Sequence, residues 1–216
     1  MDYMKELENF TSCDISDALL KLRIPHGGFI PDIDMLSPSY KHSETRIIGP
    51  AFLVKMVEKE SNEPRPSEHF CDVVPEGHVL VLSAPKEAKN AVMGGLLAAR
   101  AKFRGARGVV VDGRVRDLVE LRSSKFPVFA RATSTLSAGP FTRPTTLNQS
   151  LSIGEVKINP GDIIIADADG VVCLPLHLVK DVINECKKSV EVDEKCMRDI
   201  IEGRGIAETF AEHRGK

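Results

Sequence analysis

The apolar and polar positions along the chain form blocks that predict strands and helices in turn. Short apolar runs predict strands, and apolar residues at helical spacing predict helices. In the middle of the chain these are strands over 46–57, 78–83, 108–112 and 126–130, and helices over 94–103 and 117–124. The run over 78–83 is almost entirely apolar, as expected of a strand buried on both faces. The mixture indicates an α/β protein.

Helices are also expected at both ends of the chain. A short helix over 1–10 has its apolar residues on one side, and Thr11 begins the next helix as its N-cap, with Asp14 in the capping-box position. An amphipathic helix over 176–202 closes the chain. The charged tail that follows it is expected to reach a neighbouring protomer.

Several segments are rich in turn-forming residues. The stretch over 25–40 carries many Gly, Pro and Asp residues and predicts a long loop, and 133–146 is predicted to be irregular. Gly49-Pro50 predicts a break or bulge inside the first strand. The segment 151–174 alternates apolar runs with turn signals and predicts further, antiparallel strands. The sheet is therefore not a simple succession of βαβ units.

Composition narrows the class of protein. A chain of 216 residues with a net charge of −2 and no internal repeat suits a single domain over 1–216. No apolar run is long enough to span a bilayer, and the N-terminus lacks the apolar region of a signal peptide. With no Trp and two Tyr, a platform for stacking bases is not expected. We therefore expect a soluble, cytoplasmic protein that binds neither nucleic acid nor membrane.

The cysteines and histidines form no recognised metal or disulfide pattern. The five cysteines are odd in number and form no CxxC pair, so we expect reduced thiols. The six histidines form no HxH or HExxH pattern, which argues against a zinc hydrolase.

A glycine pair at a helix start is the first candidate for chemistry. The helix that begins at Gly94-Gly95 leaves its first backbone N–H groups without intrahelical partners, and its dipole favours an anion there. We expect the backbone N–H groups of Gly95, Leu96 and Leu97 to hold such an anion. The motif GGxxxAR lacks the GxGxxG spacing, so a dinucleotide site is not predicted.

An Arg-Asp pair is the second candidate, because Arg116-Asp117 follows a buried strand where ligands collect in α/β sheets. Asp117 and Glu120 lie three residues apart on one side of a predicted helix and suit a divalent cation such as Mg²⁺ or Mn²⁺. Arg116 offers a planar fork for a carboxylate or enolate. The alternative is a capping box, with Asp117 as N-cap and Glu120 as its partner, which is the commoner explanation on spacing alone.

These segments resemble one known family. GGLLAARAKFRGARGVVVDGRVRD followed by FPVFA, together with TSCDISDALL and NPGDIIIADADGVVCLP, is similar to the RraA-like family, which includes class II 4-hydroxy-4-methyl-2-oxoglutarate aldolases. Members carry Asp or Gly twenty-one residues before the Arg-Asp pair, and the Gly type has an acid three residues after the Asp. Gly95, Arg116, Asp117 and Glu120 match the Gly type.

The resemblance implies a compact α/β/β fold of the swivelling phosphohistidine-domain type, with helical arms at both ends, assembled as homotrimers or dimers of trimers. It implies that the turn over 94–97 and Arg116 bind a 2-oxo acid, that Asp117 anchors the divalent metal and that Glu120 supports it. The implied reaction cleaves 4-hydroxy-4-methyl-2-oxoglutarate to pyruvate, with oxaloacetate decarboxylation through the same enolate.

Two further hypotheses come from the resemblance. Some relatives are regulators that bind a ribonuclease or another protein and need no catalysis, which is the alternative function. The active site of the family lies near a subunit interface, so an acid from a terminal helix, such as Asp14, Asp17 or Glu191, is a candidate to approach a neighbour's site.

Overall fold

The computed structural model describes residues 3–42 and 44–215, which form twelve strands, seven α-helices and two short 3₁₀ turns. The strands are β1 Phe29–Ile30, β2 Asp34–Ser37, β3 Ile47–Glu58, β4 Val79–Ser83, β5 Ala91–Met93, β6 Gly108–Val115, β7 Val128–Thr133, β8 Thr142–Leu147, β9 Leu151–Ile153, β10 Val156–Ile158, β11 Ile163–Ala166 and β12 Val171–Leu174. The helices are α1 Tyr3–Leu7, α2 Ser12–Lys21, α3 Phe70–Val73, α4 Gly95–Phe103, α5 Leu118–Ser123, α6 Val179–Ile201 and α7 Ile206–Arg214.

Four parallel strands form the middle of the main sheet. They lie in the order β3-β4-β6-β7, and antiparallel strands extend the sheet on both sides, with β11, β12 and β1 beyond β3 and with β2 beyond β7. The short strand β5 pairs in parallel with the end of β6. Strands β9 and β10 form a separate hairpin. The carboxyl ends of β4, β6 and β7 therefore meet at one edge of the sheet.

Strand β3 runs through Gly49-Pro50 without interruption, so the predicted break is wrong. Its first part pairs with β11 as far as Pro50, and its next part pairs with β4 from Ala51 onward. A Cβ at position 49 would lie 2.6 Å from the carbonyl oxygen of Gly77. The glycine is therefore needed for close backbone approach where the strand changes partners.

The core has layers on both faces of the parallel strands. Val109 and Val111 of β6 pack under α3, α4 and α5, whereas Val110 points to the other face and packs with Ile153 and Ile158 of the β9–β10 hairpin. Such alternation follows from the two-residue period of a strand, and each fully buried aliphatic side chain stabilises the fold by about 2 kcal/mol. The α/β/β layering predicted for the chain is thus present.

The terminal helices pack together over the antiparallel part of the sheet. Leu7 of α1, Leu19 of α2 and Ile183 of α6 share one buried cluster with Ile163 of β11. The capping box predicted at Thr11 and Asp14 is confirmed. The tail folds back as α7, where Arg204 pairs with Asp199 and Glu208.

Two segments without a strand pattern nevertheless contain strands. The segment 25–40 holds β1 and β2, and 133–146 holds most of β8. All three pair with distant parts of the chain, which local sequence does not specify. The five cysteines are free thiols, as predicted. Among the described residues, no helix has the length and apolar character needed to cross a membrane.

Candidate functional site

The N-terminus of α4 forms one wall of the candidate site. Strand β5 leads through Gly94 into the helix, and the N–H of Ala98 makes the first intrahelical hydrogen bond, to Gly94 (3.0 Å). The N–H of Gly95 instead donates to Oδ2 of Asp117 at 3.0 Å. The N–H groups of Leu96 and Leu97 make no hydrogen bond within 3–42 and 44–215. Part of the predicted anion cradle is therefore filled by a carboxylate of the chain itself.

The end of β6 forms the opposite wall. The N–H of Arg116 donates to the carbonyl of Met93 at 3.0 Å, which fixes Arg116 beside the start of α4. Nε of Arg116 lies 3.5 Å from Oδ2 of Asp117. One oxygen of Asp117 is thus held between a helix amide and a guanidinium, and Oδ1 makes no bond to the part of the chain described.

Asp117 does not cap the helix that follows it. It occupies the N-cap position of α5, but its backbone is left-handed (φ 62°, ψ 45°) and its side chain accepts no hydrogen bond from that helix. The capping-box hypothesis for Asp117 and Glu120 is therefore wrong. A non-glycine residue in this conformation costs about 1 kcal/mol or more, and such strain clusters at functional sites.

Gly94 and Gly95 are required by the close approach of these walls. A Cβ on Gly94 would lie 2.6 Å from Oδ2 of Asp117 and 3.1 Å from Cγ of Arg116. A Cβ on Gly95 would lie 3.1 Å from Cβ of Glu120. The structure thus brings all the predicted site residues together, and a side chain at 95 would compete with Glu120 for space.

The donor set fits a hydrated divalent cation. Asp117 and Glu120 are both exposed, and no cluster of three or more metal-binding side chains occurs among the described residues. Mg²⁺ commonly binds through one or two carboxylates and keeps several waters. The free Oδ1 of Asp117 and the nearby carboxylate of Glu120 match that preference.

A cavity of about 400 Å³ lies beside the first turns of α4, lined in part by Val92 and Leu97. Its polar lining includes Arg65 and His69, which sequence reasoning did not single out. Nδ1 of His69 accepts the N–H of Cys71 (3.2 Å), so His69 caps α3 and carries its proton on Nε2 when neutral. The two side chains give the cavity hydrogen-bond donors for an anion.

Buried Arg143 holds the loop that brings Arg65 to this cavity. Its guanidinium donates to the carbonyls of Ser61 and Glu63 (2.6 Å each), and to those of Lys59 and Pro64. No local spacing signals this arrangement, because the contacts join positions about eighty residues apart in the chain.

Two of the three acids proposed to reach a neighbour's site, Asp14 and Glu191, have partners within this chain. Oδ2 of Asp14 accepts the N–H and hydroxyl of Thr11 at 2.8 Å each, and Glu191 pairs with Lys195 (2.8 Å). Asp17 is exposed on α2. Their approach to a neighbour's site stays a prediction.

Three large apolar side chains lie exposed on the two helices that bound the site. Leu96 and Phe103 of α4 are 87% and 80% exposed, and Val119 of α5 is 77% exposed. Clustered apolar exposure of this kind marks binding surfaces.

Comparisons with known proteins identify a matching family and relatives of this chain. A model of the RraA-like family, described as Aldolase/RraA, matches residues 12–173. A Halalkalibacterium halodurans protein with the provisional name 4-hydroxy-4-methyl-2-oxoglutarate aldolase is 30% identical over 200 residues, covering 93% of this chain and 89% of that protein. Protein DlpA of Legionella pneumophila is 34% identical over 184 residues, but the chain spans only 29% of the length of DlpA.

A solved structure shares the fold. The crystal structure of an uncharacterised protein from Pseudomonas syringae has a TM-score of 0.82 and 26% sequence identity, covering 96% of each chain. This likeness confirms the predicted α/β fold with helices at its ends.

Proposed function

Because the chain belongs to the RraA-like family, we propose that it is a divalent-metal-dependent class II aldolase that cleaves 4-hydroxy-4-methyl-2-oxoglutarate to two pyruvates. The observation that supports this most strongly is the position of Asp117, whose carboxylate lies between the N–H of Gly95 and the guanidinium of Arg116. A helix cap would have no reason to adopt this left-handed backbone, with its carboxylate bonded to a different helix.

Arg116 and the backbone of α4 bind the pyruvyl part of the substrate. The guanidinium of Arg116 offers a planar fork to the 1-carboxylate, and the N–H groups of Leu96 and Leu97 are donors to its oxygens or to the 2-oxo group. Both walls are fixed by the pairing of β5 with β6, so the substrate meets preorganised donors.

Asp117 and Glu120 hold the metal. When bound, a divalent cation supplies a Lewis acid that takes up negative charge on the 2-oxo oxygen as the carbon–carbon bond breaks. The hydrogen bond from Gly95 and the contact with Arg116 keep the Asp117 carboxylate oriented.

The bond between C3 and C4 of the substrate breaks as the 4-hydroxyl loses its proton. One pyruvate leaves, and the remaining enolate takes a proton at C3 to become the second pyruvate. Loss of CO₂ from oxaloacetate gives the same enolate, so we expect decarboxylase activity from the same residues. A lysine Schiff base is not required.

The cavity beside α4 receives the distal carboxylate. Arg65 supplies a positive charge and His69 supplies its Nε2–H, and Leu97 belongs both to this cavity and to the turn that binds the pyruvyl part. This assignment accounts for a dicarboxylic rather than a monocarboxylic substrate.

The exposed Leu96, Phe103 and Val119 support a homo-oligomer, a trimer or a dimer of trimers, in which these side chains are covered. The site would then lie at or near the contact between protomers.

The test is metal dependence. Pyruvate release from 4-hydroxy-4-methyl-2-oxoglutarate is measured with Mg²⁺ or Mn²⁺ and with EDTA, for the wild type, Asp117→Asn and a control, Asp181→Asn, an exposed residue of α6. We expect release that EDTA and Asp117→Asn abolish and that Asp181→Asn leaves unchanged. A folded protein with no release under either metal would favour the alternative, a regulator that binds a ribonuclease or another protein.

A further inference from the structure

A second cavity, of about 630 Å³, opens where β4, β6 and β7 end. Ser83 of β4, Asp112 of β6 and Arg131 of β7 line it, and the turn at Asp32 and the β9–β10 hairpin at Ser152 close its other side. The carboxyl ends of parallel strands are where ligands bind in open α/β sheets. Its volume is that of a small-molecule site.

Different residues of β6 line this cavity and pack under the helices of the candidate active site. Val111 and Val115 pack on the face covered by α4 and α5, whereas Val110 packs on the face covered by the β9–β10 hairpin. Asp112 and Arg114 line the cavity, in the segment where the register of β6 with β7 shifts. The proposed active site lies on the other side of the same strand end.

The cavity carries an excess of positive charge. Its basic side chains are Lys86, Lys89, Arg114 and Arg131, and its acidic side chains are Asp32 and Asp112. Both acids pair with the same partner, Arg131, with Asp32 at 3.2 Å. The other three basic groups are therefore available to a ligand.

These remaining basic groups have few partners. Arg114 donates through Nη1 to the carbonyl of Thr133 (3.0 Å), which positions the guanidinium. The other N–H groups of the guanidinium remain available to a ligand. Lys89 lies 4.0 Å from Glu87, and both are exposed, so that pair is weak. A small anion with several charges would supply the missing acceptors.

The frame around the positive charges is rigid. Arg131 is braced between Asp112 on β6 and Asp32 on the opposite turn. A Cβ at Gly113 would lie 2.8 Å from Cβ of Ala84, so this glycine lets the segment after β4 lie against β6. That close packing holds Lys86, two residues further on, at the rim of the cavity.

We infer that this cavity is a second ligand site, for a small molecule that carries two or more negative charges as phosphate or carboxylate groups. The guanidinium of Arg114 recognises either group in a bidentate manner, and Lys86 and Lys89 add point charges. The inference does not depend on the proposed aldolase activity, because different residues line the two sites.

The test measures binding by calorimetry at low ionic strength, with pyrophosphate and citrate as separate probes and acetate as the monoanion control. The variants are Arg114→Gln and Lys86→Gln, with exposed Lys180→Gln of α6 as a matched control. Arg114→Lys keeps the positive charge, so it distinguishes an effect of charge from an effect on folding. Thermal melting verifies that each variant is folded. A preference for pyrophosphate or for citrate identifies which group the site recognises.

We expect wild-type protein to bind at least one of the two polyanions and not acetate. Arg114→Gln and Lys86→Gln should each weaken binding about tenfold, and Arg114→Lys less. Lys180→Gln should leave affinity within about twofold. Absence of binding, binding that Arg114→Gln leaves unchanged, or equal weakening in Lys180→Gln would overturn the inference.

Discussion

The carboxylate of Asp117 accepts a hydrogen bond from the backbone N–H of Gly95, 22 positions earlier in the chain, at 3.0 Å. This single contact joins the start of α4 to the end of β6. It is possible because Gly94 and Gly95 have no side chains where Asp117, Arg116 and Glu120 lie. The candidate site is therefore built on backbone proximity as much as on its charged groups.

Gly94→Ala should abolish most of the activity without unfolding the protein. The new Cβ would meet Oδ2 of Asp117 at 2.6 Å, so the carboxylate must move away from the site. A displacement of about 1 Å is expected to lower kcat/KM for 4-hydroxy-4-methyl-2-oxoglutarate about 100-fold. Gly205→Ala, where a Cβ meets nothing within 4 Å, is the control and should retain full activity. Full activity in Gly94→Ala would contradict the placement of Asp117.

Arg65→Gln should raise KM for 4-hydroxy-4-methyl-2-oxoglutarate about tenfold, because the distal carboxylate loses a charged partner. Exchange of the C3 protons of pyruvate in D₂O needs no distal carboxylate and should be unchanged. Arg107→Gln, at the amino end of β6, is the matched control. An equal effect of Arg65→Gln on both reactions would argue that Arg65 acts on the site as a whole.

Asp199→Asn should destabilise the α6–α7 hairpin near neutral pH. Hydrogen bonds from His213 and Arg204 hold the pKa of Asp199 below its ordinary value of 3.8. A carboxyl with a lowered folded-state pKa stabilises the protein above its unfolded pKa, and this stabilisation is lost as pH falls through the folded-state pKa.

The measurement is thermal melting against pH for the wild type, Asp199→Asn and exposed Glu194→Gln. The difference in melting temperature between the wild type and Asp199→Asn should be largest above pH 3.8 and should disappear below it. A difference in melting temperature that persists at the lowest pH would show that packing, and not the ionised carboxylate, stabilises the hairpin.

Cys13 should be the thiol that a reagent modifies in the native protein, because it is exposed and the other four cysteines are buried. Burial raises the pKa of Cys71 and of Cys186 to about 12, so both stay protonated as well as inaccessible. Alkylation should also be slow at Cys13, since partial burial and the charges of Asp169 and Asp167 raise its pKa. Mass spectrometry should find one modified thiol, and none in Cys13→Ser; rapid labelling of several would refute this.

The sequence correctly predicted the features that depend on residues close together in the chain. The capping box of Thr11 and Asp14, the apolar run of β4 and the glycine start of α4 are all local features, and the structure confirms them. Arg116, Asp117 and Glu120 also came from spacing and resemblance, and the structure brings them beside Gly95.

The features that the sequence did not predict depend on contacts between distant positions. Strands β1 and β2 are short edge strands whose partners lie in β12 and β7. Their own stretch is rich in Gly and Pro and has no local strand pattern, so they were predicted as a loop. The side chain of Asp117 bonds to Gly95 of α4, which is distant in sequence, so spacing alone favoured the wrong role for it. Arg65 gave no signal because Arg143 positions its loop from far along the chain.

The central claim is that Arg116 and its neighbours bind a 2-oxo acid for metal-dependent carbon–carbon cleavage. The most direct test is pyruvate release from 4-hydroxy-4-methyl-2-oxoglutarate and from oxaloacetate, with and without Mg²⁺, for the wild type, Arg116→Ala and exposed Arg104→Ala. We predict metal-dependent release from both substrates, with kcat/KM lowered about 100-fold or more in Arg116→Ala and unchanged in Arg104→Ala. Release that Arg116→Ala leaves intact, or no release with any divalent metal from folded protein, would contradict the account.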